Sequence, residues 1–182
     1  MAEQALEEMK KRQLRMHAKA IQFQTILMQA HYMANEFQVA EKAFTLALEI
    51  LDHHWGPYHP LHINIYGIMA QLLILNLKYE DATYLYKASL RCCMRILGPN
   101  HIQTGEVHME YAKLQLLKSK KIDEHSSKAQ QQKNDSLQHF IEAFDIFKHY
   151  FEGEKLDALQ TAEAAMQIAE LMEEDSRMND AF

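Results

Sequence analysis

The same helix-ending turn occurs twice in this chain, as Trp55-Gly56-Pro57-Tyr58-His59-Pro60 and as Leu97-Gly98-Pro99-Asn100-His101, which sets a 42-residue period between the two glycines. Glycine adopts the left-handed backbone that closes a helix, and a proline directly after it cannot continue one. Two copies of a helix stop at a fixed period signal stacked supersecondary units. A third candidate, Glu152-Gly153-Glu154, follows Gly98 at a longer interval, one period plus an insertion.

Between the stops the apolar residues recur at helical spacing. Leu14, Ala18, Ile21, Thr25, Met28 and Tyr32 trace one face of a first helix, and Asn35-Glu36-Phe37 interrupts it. Ala40, Ala43, Phe44, Ala47, Leu48 and Leu51 define a second helix that runs into the first stop. A shift of 42 places Ala82, Leu85, Tyr86, Ser89, Leu90 and Cys93 at the same offsets, preceded by a helix from about Leu61 to Leu77. A shift of 55 gives Leu137, Phe140, Ile141 and Phe144, after which Phe147 and Phe151 take over the inward positions. The inserted residues fall in the segment 119–135, which has almost no apolar content and reads as a solvent-facing loop, with Asp135-Ser136 capping the helix after it. A last helix, Lys155 to Met172, with Ala158, Ala162, Ala165, Ile168, Ala169 and Met172, is rich in small residues and closes the stack. The expected fold is all-α: an α-solenoid of about three 42-residue helix pairs with a C-terminal closing helix. Residues 1–13 form a charged lead-in helix, 14–172 a single repeat domain and 173–182 a polar tail.

Composition supports this and excludes several functions. Gly (5) and Pro (3) are scarce, and the net charge of −6 provides no basic stripe for nucleic acid. The N-terminus lacks the basic-then-apolar order of a signal peptide, and adjacent Cys92 and Cys93 cannot form an ordinary structural disulfide, so a reducing, cytoplasmic setting is expected. The most apolar window, Leu61 to Leu77, is broken by His62, Asn64, Gln71 and Asn76, which argues for a buried helix rather than membrane insertion.

A 42-residue helix pair, the entry Lys78-Tyr79-Glu80-Asp81-Ala82 and the exit Ile96-Leu97-Gly98-Pro99-Asn100-His101 resemble the kinesin light chain type of tetratricopeptide repeat; the repeat region of the clustered-mitochondria family is similar. The signature small and large positions map onto Ala70, Leu73, Ala82, Tyr86 and Ser89. Met28 stands where a small residue is usual, and Leu77 replaces the glycine found between the two helices. The resemblance implies a concave groove lined by the first helix of each pair. In its register the lining residues are Gln22, Thr25, Gln29 and Tyr32, then Asn64, Gly67, Gln71 and Ile74, then Glu106, Met109, Lys113 and Leu116. The partner would be a protein or peptide with one apolar anchor, and the resemblance adds a transport, cytoskeletal or mitochondrial-positioning assembly.

No catalytic chemistry is legible. His53, His54, His59 and His62 cluster around the first turn, yet their spacing matches no zinc signature and helix termini account for them. Cys93 falls on the buried stripe, and the cysteine pair reads as packing. No Gly-rich phosphate loop or nucleophile elbow occurs, so neither an enzyme nor a cofactor or metal is expected. Two readings compete with a peptide-binding scaffold. One is a detached C-terminal domain of a SET-and-MYND type methyltransferase, against which Met1 and the charged lead helix weigh. The other is a helical array that assembles as a homo-oligomer.

Overall fold

The computed structural model describes residues 19–122, 126–150 and 158–179; the lead-in helix over 1–13 and the third glycine turn at Gly153 lie outside them. Among the described residues there are seven helices and no strand, so the fold class is all-α as expected: α1 (Ala20–Met33), α2 (Phe37–Trp55), α3 (Pro60–Leu75), α4 (Tyr79–Ile96), α5 (Ile102–Ser119), α6 (Ser127–Tyr150) and α7 (Ala158–Asn179). The chain divides between Ile96 and Leu97 into two compact units. The first holds the pairs α1–α2 and α3–α4; in the second, α5 pairs with α6 and α6 with α7.

Within the first unit the 42-residue period is written into the backbone. Each pair turns through one left-handed residue, Asn35 at φ 62° and Leu77 at φ 60°. The same two hydrogen bonds close both turns. Glu36 N–H donates to His31 O at 2.8 Å and Lys78 N–H to Leu73 O at 2.9 Å, while Asn35 N–H reaches Tyr32 O at 3.1 Å and Leu77 N–H reaches Ile74 O at 3.0 Å. This six-residue pattern satisfies helix-end carbonyls that would otherwise lack partners. The stops behave as expected from sequence, with Gly56 at φ 76° and Gly98 at φ 89°.

After each stop a histidine starts the next helix. His59 Nδ1 accepts the Leu61 N–H at 3.3 Å, and His101 Nδ1 accepts the Gln103 N–H at 3.1 Å. Both rings take the place usually held by a short side-chain oxygen at a helix N-terminus. Pro60, directly after His59, supplies the preset φ of a first helical residue. The core of the first unit gathers Ala20, Ile21, Ala47, Ile50, Leu51 and Ile65, with Phe44, Leu46 and Leu48 packed against it.

The second unit departs from sequence expectation at several places. Within the segment expected as a loop, 119–135, of which 123–125 lie outside the described residues, Ser119 ends α5 and residues 127–135 form the first turns of α6, a helix of 24 residues against 18 in α4. Ser126, rather than Asp135-Ser136, caps it, its Oγ accepting the Ala129 N–H at 3.1 Å. The inward positions of this extension are Ala129, Gln132, Lys133 and Ser136, all buried. Apart from Ala129 they are polar yet follow helical spacing, and the long side chains of Gln132 and Lys133 can bury their stems there. Phe140, Ala143 and Phe147 continue the stripe, whereas Ile141 faces out. In α7 the inward residues are Ala164, Ile168 and Leu171, and Met172 is exposed. That helix runs on to Asn179, through most of the segment expected to be a polar tail.

Leu77 is exposed and carries a Cβ in a left-handed conformation that costs about 1–2 kcal/mol. Replacing Leu77 with Gly is therefore expected to raise the unfolding free energy by about 0.5–1 kcal/mol after the added chain entropy of glycine is counted. Gly56 is held at φ 76° and ψ 179°, a region open to glycine almost alone, so Gly56→Ala is expected to cost about 1–3 kcal/mol. Urea unfolding followed by circular dichroism measures both; equal midpoints for the two variants and the wild type would contradict the assigned turns.

Candidate functional site

In the first unit α1 and α3, which carry two of the three expected groove rows, are neighbours. Gln22 and Gln29 on α1 and Asn64 and Gln71 on α3 are exposed, with Thr25, Gly67 and Ile74 half-buried among them. The Thr25 hydroxyl is turned to its own helix and donates to Ile21 O at 2.9 Å. Asn64, Gly67 and Gln71 follow one another at spacings of three and four residues, so they share a helix face. A Cβ built on Gly67 would meet no atom within 4 Å, which leaves the backbone of α3 open between two exposed amides. None of these side chains carries a formal charge.

Tyr32 does not belong to that face. It is 1% exposed, and its ring packs edge-on against Phe37 at 4.9 Å. At 100° per residue the three-residue step from Gln29 falls about 60° short of a full turn. That carries position 32 to the border of the buried stripe, where a large ring is drawn into the core.

The third expected row lies in the second unit and is largely occupied by that unit itself. Glu106 is exposed, but Met109 is a core residue alongside Ala112, Phe140, Phe147 and Ala164, and Leu116 packs against the same cluster. Lys113 bonds Glu163 of α7 at 2.8 Å and Glu110 at 3.2 Å. Burial works against the Lys113 charge, but these two carboxylates outweigh it and hold its pKa above the usual lysine value. The placement of α7 depends on contacts distant in sequence, which periodicity within α5 does not report.

The four histidines singled out around the first turn separate into two kinds. His53 and His54 are exposed at the end of α2. His59 caps α3 and stacks on Trp55 at 4.9 Å. His62, only 1% exposed, sits between two partners: in the tautomer that carries its proton on Nε2 it donates to Asp52 Oδ1 at 2.9 Å, while Nδ1 accepts the His59 N–H at 3.3 Å. The ring thus ties the end of α2 to the start of α3. Cys92 and Cys93 are buried thiols, and burial raises the Cys92 pKa, opposite to what a reactive thiolate needs.

A different histidine cluster, not anticipated from the sequence, forms between α5 and α6. His108 Nδ1 lies 2.9 Å from His139 Nδ1 and 2.9 Å from Glu142 Oε2, and His139 Nδ1 lies 3.3 Å from the same oxygen. Burial pushes the His108 pKa below its ordinary value; Glu142 opposes this and His139 adds to it. The helical spacing of His139 and Glu142 is visible in the sequence, but His108, far earlier in the chain, is brought to them only by the pairing of the two helices.

Scanned against protein-family profiles and against the sequences of curated proteins, the chain finds no match. Among solved structures it is similar to BtubC (BKLC) from P. vanneervenii, at 14% identity and a TM-score of 0.51 over 95% of this chain and 70% of that one. The likeness is one of fold. It agrees with an all-helical chain and leaves function to the residues. No helix among the described residues is long and apolar enough to cross a membrane.

The histidine assignments separate in stability. Replacing buried His62 with Ala removes two hydrogen bonds and leaves a cavity, for an expected loss of about 2–3 kcal/mol. His53→Ala and His54→Ala, on exposed positions, should stay within about 0.5 kcal/mol of the wild type. Thermal unfolding of the three variants checks this; a His62 variant as stable as the other two would remove the α2–α3 tie.

Proposed function

We propose that this chain is a non-catalytic protein-interaction module that holds a short peptide segment against the α1–α3 face of its first unit. The observation that carries the reading is the open backbone at Gly67, flanked on the same helix face by Asn64 and Gln71. A glycine inside a helix costs about 0.5–1 kcal/mol relative to alanine, and here no neighbour needs the space. Close approach of another chain gives that cost a purpose. Exposed amides of Asn64, Gln71, Gln22 and Gln29 can hydrogen-bond to an extended backbone in either direction, since each offers a donor and an acceptor. Half-buried Ile74, one turn beyond Gln71, supplies an apolar contact for a single anchoring side chain. The lack of charge on the face selects neither an acidic nor a basic ligand, so affinity would rest on shape and backbone pairing.

The resemblance of the repeat to the kinesin light chain type supports a cytoplasmic scaffold or adaptor whose partner belongs to a transport or cytoskeletal assembly. Catalysis has no place in this reading, and the face needs no cofactor.

Selection of displayed peptides against the full chain, followed by affinity measurement on variants, tests the proposal. Gly67→Leu is expected to weaken the selected peptides at least tenfold while raising the unfolding free energy by about 0.5–1 kcal/mol, because leucine is the better helix former. Asn64→Ala combined with Gln71→Ala should weaken them similarly with the helical circular dichroism intact. Peptides that bind these variants as tightly as the wild type would place recognition elsewhere.

A further inference from the structure

The cluster between α5 and α6 has no role in the peptide-binding reading. We propose that His108, His139 and Glu142 form a binding site for a divalent transition-metal ion of the zinc class.

Three ligating atoms, two imidazole nitrogens and one carboxylate oxygen, point at one another across edges of 2.9, 2.9 and 3.3 Å. Hydrogen bonding alone accounts poorly for that triangle. Each nitrogen carries either one proton or one lone pair, and the carboxylate oxygen only accepts. A proton on His108 Nδ1 can be directed to Glu142 or to His139, not fully to both. Protons on both nitrogens would oppose each other across the 2.9 Å edge, and with neither protonated the three edges have no donor at all.

A metal ion removes the conflict, because every atom then presents a lone pair to a common centre. Zinc bonds nitrogen and oxygen at about 2.0–2.1 Å, and tetrahedral geometry then sets the ligand atoms about 3.3 Å apart. The triangle needs to open by only a few tenths of an ångström along two edges to match. These three ligand atoms are a candidate metal group among the described residues. Two imidazoles with one carboxylate suit zinc, cobalt or nickel, whereas magnesium and calcium prefer all-oxygen shells.

The surrounding helices hold the ligands in place. His139 and Glu142 stand three residues apart on α6 and so share a face, with His108 opposite on α5. Gly105, three residues before His108, lets the two helices close up: a Cβ there would stand 2.8 Å from the Phe147 ring. The Tyr111 ring lies 4.8 Å from that of His139 and limits its swing. The His108 side chain is 11% exposed, that of His139 23% and that of Glu142 40%, so solvent reaches the ligand set and a water could complete the shell as a fourth ligand. Three protein ligands with an open position are the arrangement of exchangeable or reactive zinc rather than of a closed structural site.

Isothermal titration of the full chain with zinc chloride alone, paired with the visible spectrum of added cobalt, tests the site. One zinc ion per chain is expected, with a cobalt d–d band in the range of four-coordinate sites. His139→Ala and Glu142→Gln, both at partly exposed positions, should each weaken zinc at least tenfold and abolish the cobalt band while the helical circular dichroism is retained. The double variant His53→Ala with His54→Ala removes an exposed histidine pair and should bind zinc as the wild type does. Zinc affinity unchanged by His139→Ala and Glu142→Gln, affinity lost only in the His53/His54 variant, or no uptake by the wild type at micromolar zinc would each overturn the proposal.

Discussion

Everything in the first unit follows from where its helices are made to stop. A helix end leaves carbonyl and amide groups that must find partners, and this chain answers with a left-handed residue every half-repeat: Asn35, Gly56 and Leu77, with Gly98 opening the second unit. At Asn35 and Leu77 the turn is short, and α1 packs on α2 and α3 on α4. The hydrogen bonds from Glu36 to His31 and from Lys78 to Leu73 keep the same 42-residue period at donor and acceptor alike. The period is therefore a property of the backbone and not only of the side chains. His59 and His101 extend it to the helix starts.

The second unit is organised by close approach rather than by turn chemistry. Its longest helix, α6, is extended by residues that lack hydrophobic character, and its core centres on Phe140, Ala143 and Phe147. The absence of a side chain at Gly105 admits the Phe147 ring. The same closeness brings His108 to His139 and Glu142, so the packing that completes the core also creates the polar cluster. Met109 and Leu116 are drawn into that core, and Lys113 is paired to α7. The inner helix of this unit thus serves its own packing where α1 and α3 leave a surface.

Two kinds of surface chemistry result. The α1–α3 face is uncharged, rich in side-chain amides and open at Gly67, features suited to recognising a backbone. The α5–α6 cluster is compact, nitrogen-rich and partly shielded, features suited to an ion. They lie in different units and use different residues, so each can be altered without touching the other. Histidine is spread over the chain but does several jobs: capping at His59 and His101, tying two helices at His62, and clustering at His108 and His139.

The sequence by itself determined the helical class, the 42-residue period, the stops at Gly56 and Gly98 and the inward stripes of α2 and α4, because these depend on residues within a turn or two of one another. Gln22, Gln29, Asn64 and Gln71, expected from helical register to line a groove, are exposed. The start of α6, residues 127–135, was not legible in the sequence, because Gln132 and Lys133 occupy buried positions without hydrophobic character, and hydrophobic periodicity is blind to buried polar stems. Tyr32, Met109 and Leu116 joined cores that form only when another element arrives. The histidine–glutamate cluster needed two helices held at a set separation. Local patterning fixes where a side chain sits around its own helix; only the tertiary structure decides what stands opposite it, because that partner is chosen by packing between residues far apart in the chain.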